Sequence, residues 1–224
     1  MSVEIVYAFG NSNIGVYVSA SDRFALLPPE APEKLERVLE RNLGVEIIRV
    51  TINSSPLLGV LCVMNSHGIL LGRLVREGEI NILKEKLKDY LKLEILEELK
   101  ENAIGNLILT NDRGAIVSPL IPHSMLKKIA DALDVEVVQK DFGGSNLVGA
   151  MGVATNKGAL LSPLMTDDEV EQVLEILKVL KGGIGTVNKG SVFVKGGIVA
   201  NSKGAIIGYE TTGIEVMRIH SSLF

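Results

Sequence analysis

Short apolar stretches on either side of a polar turn recur along this chain at a fixed spacing. Four copies of the pattern carry a glycine after the turn, and the first copy carries Phe24 there. The copies read VSASDRFAL, VMNSHGILL, LTNDRGAIV, VATNKGALL and VANSKGAII, anchored at Phe24, Gly68, Gly114, Gly158 and Gly204. The steps between anchors are 44, 46, 44 and 46 residues. A period of this length is typical of propellers, solenoids and repeat arrays.

A second marker keeps phase with these anchors, nine residues before each of them. It is a glycine in four copies, whereas Lys195, followed by Gly196, stands there in the last copy. The four glycines are Gly15, Gly59, Gly105 and Gly149. Units of about 45 residues account for all 224 residues, which predicts a single domain. The approximate unit boundaries are 10–50, 51–98, 99–140, 141–185 and 186–224.

Each unit is predicted to begin with two strands joined by the polar turn. In the second unit the apolar run 57–64 indicates a strand, the segment 65–68 a turn, and Ile69 the start of the return strand. Asn favours the first turn position, and Gly accepts the positive φ that ends a type I turn with a bulge. Because Phe24 does not accept that conformation readily, the first hairpin is predicted to turn differently.

An amphipathic helix follows the two strands. In the second unit its apolar residues fall at three- and four-residue steps, which is the spacing of one helical face. Thr166 with Glu169, and Thr212 with Glu215, have the spacing of a capping box. The predicted helices cover residues 33–43, 78–91, 122–133 and 166–177 and the segment after Thr212.

A third strand follows the helix in four of the units. Its pattern is clear at residues 45–48, 93–96 and 135–138 and looser at 177–180, and the fifth unit ends at Phe224 without it. The same pattern, Val-Glu-Ile-Val, opens the chain at Val3. We therefore predict that strand 3–8 completes the last unit, because pairing there closes a ring and leaves no free sheet edge. The predicted fold class is α/β, with five β-β-α-β units around an axis.

Composition narrows the class of protein further. Hydrophobic residues make up 46% of the chain, aromatic residues 4%, and Trp is absent, so we expect a large aliphatic core. A net charge of −4 argues against a general nucleic-acid surface and against DNA as a partner. No apolar run reaches the ~18 residues of a membrane span, and the first ten residues lack the basic region of a signal peptide. We expect a soluble cytoplasmic protein.

Candidate catalytic residues are few. Cys62 is the one cysteine, which excludes an internal disulfide, and its apolar neighbours favour a small buried side chain over a reactive thiol. The three histidines, His67, His123 and His220, have no metal-site spacing with another ligand, so no metal is expected. The glycine-rich run 182–190 lacks the Lys-Ser/Thr of a phosphate loop. No cofactor is predicted.

Asn106 breaks the repeat with a polar side chain. It follows Gly105, at a position where the other units carry Val16, Val60, Ala150 and Gly196. A polar residue at an otherwise apolar or small position is a candidate contact for a partner. It is equally well explained as a buried Asn bonded to neighbouring backbone, and the residues alone do not decide between the two.

Several motifs resemble the translation initiation factor 6 family, in its archaeal form. The segment 103–115, AIGNLILTNDRGA, carries the resemblance together with GTVNKGS at 185–191 and IVANSKGA at 198–205. Leu147-Val148-Gly149 before Thr155-Asn156-Lys157-Gly158, and Glu210-Thr211-Thr212-Gly213, extend it across the whole chain. The family has the pentein fold, a five-fold α/β propeller, which agrees with the ring predicted from the repeats.

The resemblance implies a function that the residues alone do not. Members bind the joining face of the large ribosomal subunit, at ribosomal RNA and a ribosomal protein beside the sarcin–ricin loop. They prevent association with the small subunit and take part in large-subunit maturation, without being enzymes. The Asn that matches Asn106 lies at that contact, so the resemblance favours the binding interpretation. The implied ribosome-binding residues are Asn106, Gly105 and Val60, in a protein expected to be monomeric.

Two departures and one alternative remain. Eukaryotic members carry a basic residue where Val60 stands, and they continue into a C-terminal tail beyond the position of Phe224, so neither the charged contact nor tail-based regulation is expected. Penteins also include guanidino-modifying hydrolases with a nucleophilic Cys near the C-terminus and His and carboxylate partners. The alternative function is such a hydrolase using Cys62, although Cys62 lies in the second unit.

Overall fold

Five three-stranded sheets make up the computed structural model of the protein, which describes residues 2–88 and 90–224. In each sheet a middle strand pairs antiparallel with an inner strand and parallel with an outer strand. The inner strands are Ser19–Ala20, Cys62–Met64, Ile108–Thr110, Gly152–Ala154 and Ile198–Ala200. The middle strands are Phe24–Leu27, Gly68–Gly72, Gly114–Val117, Gly158–Leu161 and Gly204–Gly208. The outer strands are Glu46–Arg49, Lys92–Leu96, Glu136–Gln139, Lys181–Ile184 and Ser2–Val6.

The sheets form a closed ring. Each inner strand contacts the next one along the chain, and the fifth contacts the first. The N-terminal strand Ser2–Val6 supplies the outer strand of the last sheet, with Val3 opposite Ala205 and Val6 opposite Gly208. This confirms the predicted five-fold α/β propeller and its closure by the N-terminal strand.

Helices pack on the outside of the ring and form its interfaces. The outer helices are Glu33–Leu43, Glu77–Leu87, Leu126–Leu133, Asp167–Ile176 and Gly213–Leu223, the third preceded by a 3₁₀ turn at His123–Met125. The outer helix of the first unit packs on the sheet of the fifth, and that of the fourth on the sheet of the third. Each helix therefore covers an inter-sheet seam, and its apolar face is buried there.

The core consists of five aliphatic clusters, one between each pair of neighbouring units. One cluster joins Leu26 of the first unit to Leu58 and Leu83 of the second. Another joins Leu160 of the fourth unit to Ile207 of the fifth. Because every cluster is shared between units, no unit buries its apolar surface alone, and closing the ring also buries the apolar surfaces where the first and last units meet.

The predicted strand 57–64 is wrong in its first half. Leu58–Leu61 is a single helical turn, and the strand begins only at Cys62. Similar turns, called the axial helices here, precede the other inner strands at Ile14–Tyr17, Ile104–Asn106 and Val194–Gly197, with a hydrogen-bonded turn at 148–150 in the fourth unit. An apolar run of this length does not distinguish a strand from a buried helical turn by periodicity.

The anchor glycines are required for a different reason than predicted. None of Gly68, Gly114 and Gly158 has a positive φ. A Cβ atom on Gly68 would instead lie 2.0 Å from the carbonyl oxygen of Ala132, in the outer helix of the next unit. Gly114 and Gly158 make the same close approach to the following outer helix. The glycines therefore allow neighbouring units to touch backbone to backbone.

The first hairpin turns like the others, which contradicts the prediction from Phe24. The Oγ of Ser21 accepts hydrogen bonds from the amides of Arg23 and Phe24. The Oδ1 of Asn65 does the same for the corresponding amides of the second unit. Since the anchor position needs no positive φ, Phe24 fits its backbone, and its ring is buried with Leu83 and the other apolar residues at this seam.

Smaller differences concern the ends of elements. The predicted helix 78–91 ends at Leu87, and its segment includes Asp89, which lies outside the described residues. The loose third strand at 177–180 is wrong, because the strand is Lys181–Ile184. It is rich in glycine since a Cβ atom on Gly182 would meet the Leu174 side chain at 2.3 Å. The capping boxes at Thr166 and Thr212 are confirmed.

Candidate functional site

The two ends of the ring differ in the elements that form them. The mouth face carries the axial helices, the loops before them and the loops that follow the middle strands. The turn face carries the five hairpin turns, at 21–23, 65–67, 111–113, 155–157 and 201–203. This division follows from the antiparallel pairing of the inner and middle strands, because their turn is at one end of the ring and their free ends are at the other.

The axial helices enclose an opening on the ring axis at the mouth face. It brings together residues of several units that are far apart in the sequence. The lining residues are Gly15, Val16, Gly59, Val60, Asn106, Leu147, Ala150, Phe193, Lys195 and Gly196. Asn106 and Val60, two residues singled out from the sequence, therefore share one site, whereas Gly105 lies buried directly behind Asn106.

Asn106 presents a free carboxamide at this opening. It ends the axial helix of the third unit, where its backbone N–H donates to the carbonyl of Ala103 at 2.9 Å. Its backbone carbonyl accepts from the N–H of Gly149, also at 2.9 Å. The backbone is thus held on both sides, while the half-buried side chain makes no hydrogen bond to any described residue. The geometry argues against the alternative of a buried Asn bonded to neighbouring backbone.

Gly105 has a packing role, and Val60 an apolar one. A Cβ atom on Gly105 would lie 2.2 Å from the carbonyl oxygen of Gly59 and 2.8 Å from that of Val60. Gly15, Gly59 and Gly149 approach their neighbours in the same way, so the axial helices meet as a ring of backbone contacts. Val60 is half-buried and adds apolar surface to the opening.

Apolar side chains extend outward from the opening over the mouth face. Leu74, Leu120 and Leu164 occupy equivalent positions in three loops that follow the middle strands, and all are exposed. Others on this face are Tyr7, Leu147, Phe193 and Tyr209. Tyr7 and Tyr209 form an edge-to-face pair with ring centroids 4.9 Å apart. Apolar residues gathered on one face of a molecule are typical of a surface that contacts another macromolecule.

Acidic side chains surround one part of the mouth face. Glu97, Glu98 and Glu101 are exposed in the loop that leads to the axial helix of Asn106. This loop carries Lys100 as well, so its formal charge remains negative. Asn106 therefore lies beside a region whose field favours a positively charged partner.

Glutamates in the first turns of three outer helices fix loops of the mouth face. Glu215, in the first turn of its outer helix, accepts hydrogen bonds from Thr186, from the amide of Gly190 and from its capping partner Thr212. Burial alone raises the pKa of Glu215, but these donors outweigh it and lower the pKa to about 2. Glu79 and Glu169 bind the equivalent loops of the second and fourth units in the same way.

On the turn face, polar groups mostly bind one another. The carboxylate of Asp112 accepts from the amide and hydroxyl of Ser66 and from the Asn156 side chain. The side-chain amide of Asn111 donates to the backbone carbonyls of Thr155 and Leu177, in the next unit. Asn65 and Asn201 make the equivalent links. The recurring Asn of the sequence pattern therefore joins units, and the mouth face is the better candidate site.

Cys62 lies in a setting that suppresses thiol reactivity. It is fully buried at the start of its inner strand, and its Sγ donates to the carbonyl of Leu58 at 3.1 Å. Burial raises the pKa of Cys62 to about 11, although Ser19 and Lys195 act in the opposite direction. A nucleophilic thiol needs a lowered pKa and access to substrate, and Cys62 has neither.

Two further observations concern metals and membranes. Among the described residues, no cluster of three or more His, Cys, Asp or Glu side chains is arranged to hold a metal ion. Within residues 2–88 and 90–224, no helix combines the length and the apolar character needed to cross a lipid bilayer.

These features define a class of protein: a closed five-unit α/β ring with exposed apolar side chains on its mouth face and, at its axial opening, a carboxamide without a hydrogen-bond partner among the described residues. The family model described as the eIF-6 family matches residues 3–222. The chain is 41% identical over 215 residues to translation initiation factor 6 of Pyrobaculum arsenaticum, covering 96% of each sequence. It is 38% identical over 223 residues to the factor of Staphylothermus marinus, covering 100% of this chain and 98% of that one. The protein belongs to the eIF-6 family.

A solved structure supports the assignment of the fold. A cyanobacterial arginine dihydrolase, ArgZ, superposes with a TM-score of 0.50 at 16% identity. The match covers 80% of this chain and 32% of the enzyme. At this level of identity the likeness concerns the fold alone, and pentein architecture hosts unrelated functions.

Proposed function

We propose that the protein binds the joining face of the large ribosomal subunit and sterically prevents association with the small subunit. The eIF-6 family match and the relatives named translation initiation factor 6 support a role in translation. The observation that carries the site is Asn106, whose carboxamide has no partner among the described residues and points into an opening with an apolar rim. We therefore propose that the mouth face makes the contact with the large ribosomal subunit.

The chemistry of the mouth face fits a mixed protein and RNA surface. Its exposed leucines and aromatic side chains provide the apolar contact area that anchors interfaces. Glu97, Glu98 and Glu101 complement a basic ribosomal protein beside the sarcin–ricin loop, so a chain with a net charge of −4 associates there through local complementarity. We propose that exposed basic residues of the rim, such as Arg73, contact ribosomal RNA.

The proposed mechanism needs no catalysis. A rigid ring seated on the joining face occupies the space into which the small subunit must dock. The same occupancy accounts for the proposed part in large-subunit maturation, because a subunit carrying the protein is withheld from translation until release. We place this activity in the cytoplasm, with the protein acting as a monomer. The buried Cys62 thiol, with its raised pKa, gives the hydrolase alternative no support.

Sedimentation tests the proposal. Purified large subunits from a related archaeon are mixed with the protein, small subunits are added, and the mixture is separated on a sucrose gradient. We expect the protein to travel with large subunits and the joined-ribosome peak to fall as its concentration rises. An unchanged joined-ribosome peak, with the protein remaining at the top of the gradient, would reject the proposed function.

A further inference from the structure

The axial ring of backbone contacts is interrupted in the fifth unit by a lysine. Four units carry glycine at the position where one axial helix meets the next, and a Cβ atom at Gly15 would lie only 1.9 Å from the carbonyl oxygen of Lys195. Lys195 keeps the backbone bond of this junction, since its N–H donates to the carbonyl of Ala150 at 3.3 Å, as the N–H of Gly149 donates to the carbonyl of Asn106 at 2.9 Å. At this junction the chain carries a long cationic side chain in place of the glycine of the other four units.

The Lys195 side chain crosses the axis. It lines both the opening on the mouth face and the channel beneath it, and its Nζ donates a hydrogen bond to the carbonyl oxygen of Gly105. Gly105 belongs to the third unit, which is not a neighbour of the fifth unit in the ring. The bond thus connects two units across the axis, whereas the backbone contacts connect neighbours.

The acceptor of this bond is the peptide group that carries Asn106. The carbonyl of Gly105 and the N–H of Asn106 belong to the same rigid plane. The next peptide plane is held by the bond from Gly149 to the carbonyl of Asn106. The preceding peptide plane is therefore held by Lys195 at its carbonyl and by Ala103 at its N–H, and the following plane by Gly149, so that these three bonds together set the direction of the Cα–Cβ bond of Asn106.

We propose that Lys195 is a positioning residue that orients Asn106 for the partner contact at the mouth face. This inference rests on the proposed function, because Asn106 must make that contact for its orientation to matter. A carboxamide held in one direction loses less conformational entropy when it binds, and the gain appears as affinity. A charge-assisted bond to a carbonyl is strong enough to hold the peptide plane.

A double-mutant cycle separates positioning from simple structural support. The affinity for large subunits is measured for the wild type, Asn106→Ala, Lys195→Met and the double variant. Met preserves the length of the apolar stem and removes the ammonium. We expect Lys195→Met alone to weaken binding about tenfold, and the double variant to bind no more weakly than Asn106→Ala. Additive losses, or wild-type affinity in Lys195→Met, would overturn the inference.

The matched control is Lys189→Met. Lys189 lies on the same face, is exposed, and pairs with Glu210 at 3.5 Å rather than with the axial ring. Its substitution removes the same charge, so a loss equal to that of Lys195→Met would assign the effect to charge and contradict positioning. If Asn106→Ala binds like the wild type, or the wild type does not bind at all, the proposed function fails instead, and the two failures are distinguishable.

A second measurement needs no variant of Lys195 and so does not depend on its folding. Burial lowers the pKa of Lys195 to about 8, while Cys62, the titratable group acting on it, has a pKa of about 11 and stays protonated in that range. The ¹³C resonance of the Asn106 carboxamide is followed between pH 6.5 and 9.5. We expect it to shift with a midpoint near 8. A carboxamide resonance that stays constant while the ε-carbon resonance of Lys195 titrates would contradict the positioning role.

Discussion

At the scale of single residues, the side chain of Asn106 stands out at the axial opening because it has no hydrogen-bond partner among the described residues. The asparagines of the recurring turn, such as Asn65 and Asn111, donate side-chain hydrogen bonds to backbone carbonyls of the next unit. Asn106 has its backbone tied on both sides and its carboxamide free. The sequence marked Asn106 as a break in the repeat, but it did not decide between a buried and an available side chain, because that depends on which backbone groups lie within reach in the folded ring.

Asn111→Ala should destabilise the protein without changing the mouth face. The substitution leaves two buried carbonyls, those of Thr155 and Leu177, without their donor. We expect a loss of about 2–4 kcal/mol in the free energy of unfolding, from about 1–3 kcal/mol for each orphaned group and incomplete additivity. Chemical denaturation measures it. An Asn106→Ala variant that loses as much would contradict the assignment of a free side chain to Asn106.

We expect Lys195 to make the free energy of unfolding rise with pH in alkaline solution. Its pKa in the folded protein, about 8, lies below its usual value because burial penalises the ammonium. Between pH 8 and about 10.4 the unfolded chain binds more protons at this residue, so protonation favours unfolding and stability rises with pH. The free energy of unfolding of the wild type, relative to Lys195→Met, should therefore increase over that window. A constant difference would show that the ammonium is not buried.

At the scale of elements, the axial helices were the part that sequence could not predict. The run from Leu57 to Met64 is apolar throughout, so a strand and a helical turn bury it equally well. The helical turn prevails because Gly59 must approach the carbonyl of Gly15 closely, a contact between residues 44 positions apart. The outer helices were predictable, since their amphipathic period and capping boxes are local signals.

Gly105→Ala tests the ring of axial contacts. The added Cβ would meet three backbone oxygens within 2.9 Å, and backbone cannot rotate away as a side chain does. We expect a loss of more than about 4 kcal/mol, or failure to fold. Gly78→Ala is the matched control, because nothing lies within 4 Å of its Cβ and it stands in an outer helix, where Ala is favoured. Thermal unfolding measures both variants, and equal melting temperatures would contradict the close backbone contact assigned to Gly105.

Glu215→Gln tests how far the hydrogen bonds of the Glu215 carboxylate stabilise the loops of the mouth face. The folded pKa, about 2, lies below the unfolded value near 4.3, so the stabilisation is complete above the unfolded pKa and is lost as pH falls towards 2. We expect Gln to lower the free energy of unfolding by about 1–3 kcal/mol at pH 7, with the difference shrinking below pH 4. Denaturation across pH measures it. Glu171→Gln, on an exposed helical face, is the control and should lower the free energy of unfolding less than Glu215→Gln does at pH 7.

At the scale of the whole molecule, the closure of the ring is the feature that the sequence predicted best. A fixed period, a missing strand at one end and a spare one at the other were enough to predict that the N-terminal strand completes the fifth sheet. The division into two unlike faces was not predictable in the same way. It depends on which loops carry Leu74, Leu120 and Leu164 to the same end of the ring, and that follows only from the strand pairing.

Removal of residues 2–6 should open the ring. The strand Gly204–Gly208 would lose its outer partner and expose an unpaired edge. Val3 would also be lost from the apolar cluster between the fourth and fifth units. We expect the truncated protein to aggregate or to melt at a much lower temperature. A synthetic peptide of residues 2–8 should restore the melting temperature by adding the strand back. Wild-type stability of the truncated chain would contradict closure.

The central claim is that the mouth face, through Asn106, holds the protein on the large ribosomal subunit. The most direct measurement is the dissociation constant for purified large subunits of the wild type, Asn106→Ala and a turn-face control, Lys157→Ala, each with its free energy of unfolding. We expect Asn106→Ala to bind at least about tenfold more weakly with nearly unchanged stability, and the control to bind like the wild type. Equal affinities for all three proteins, or a loss confined to Lys157→Ala, would contradict it.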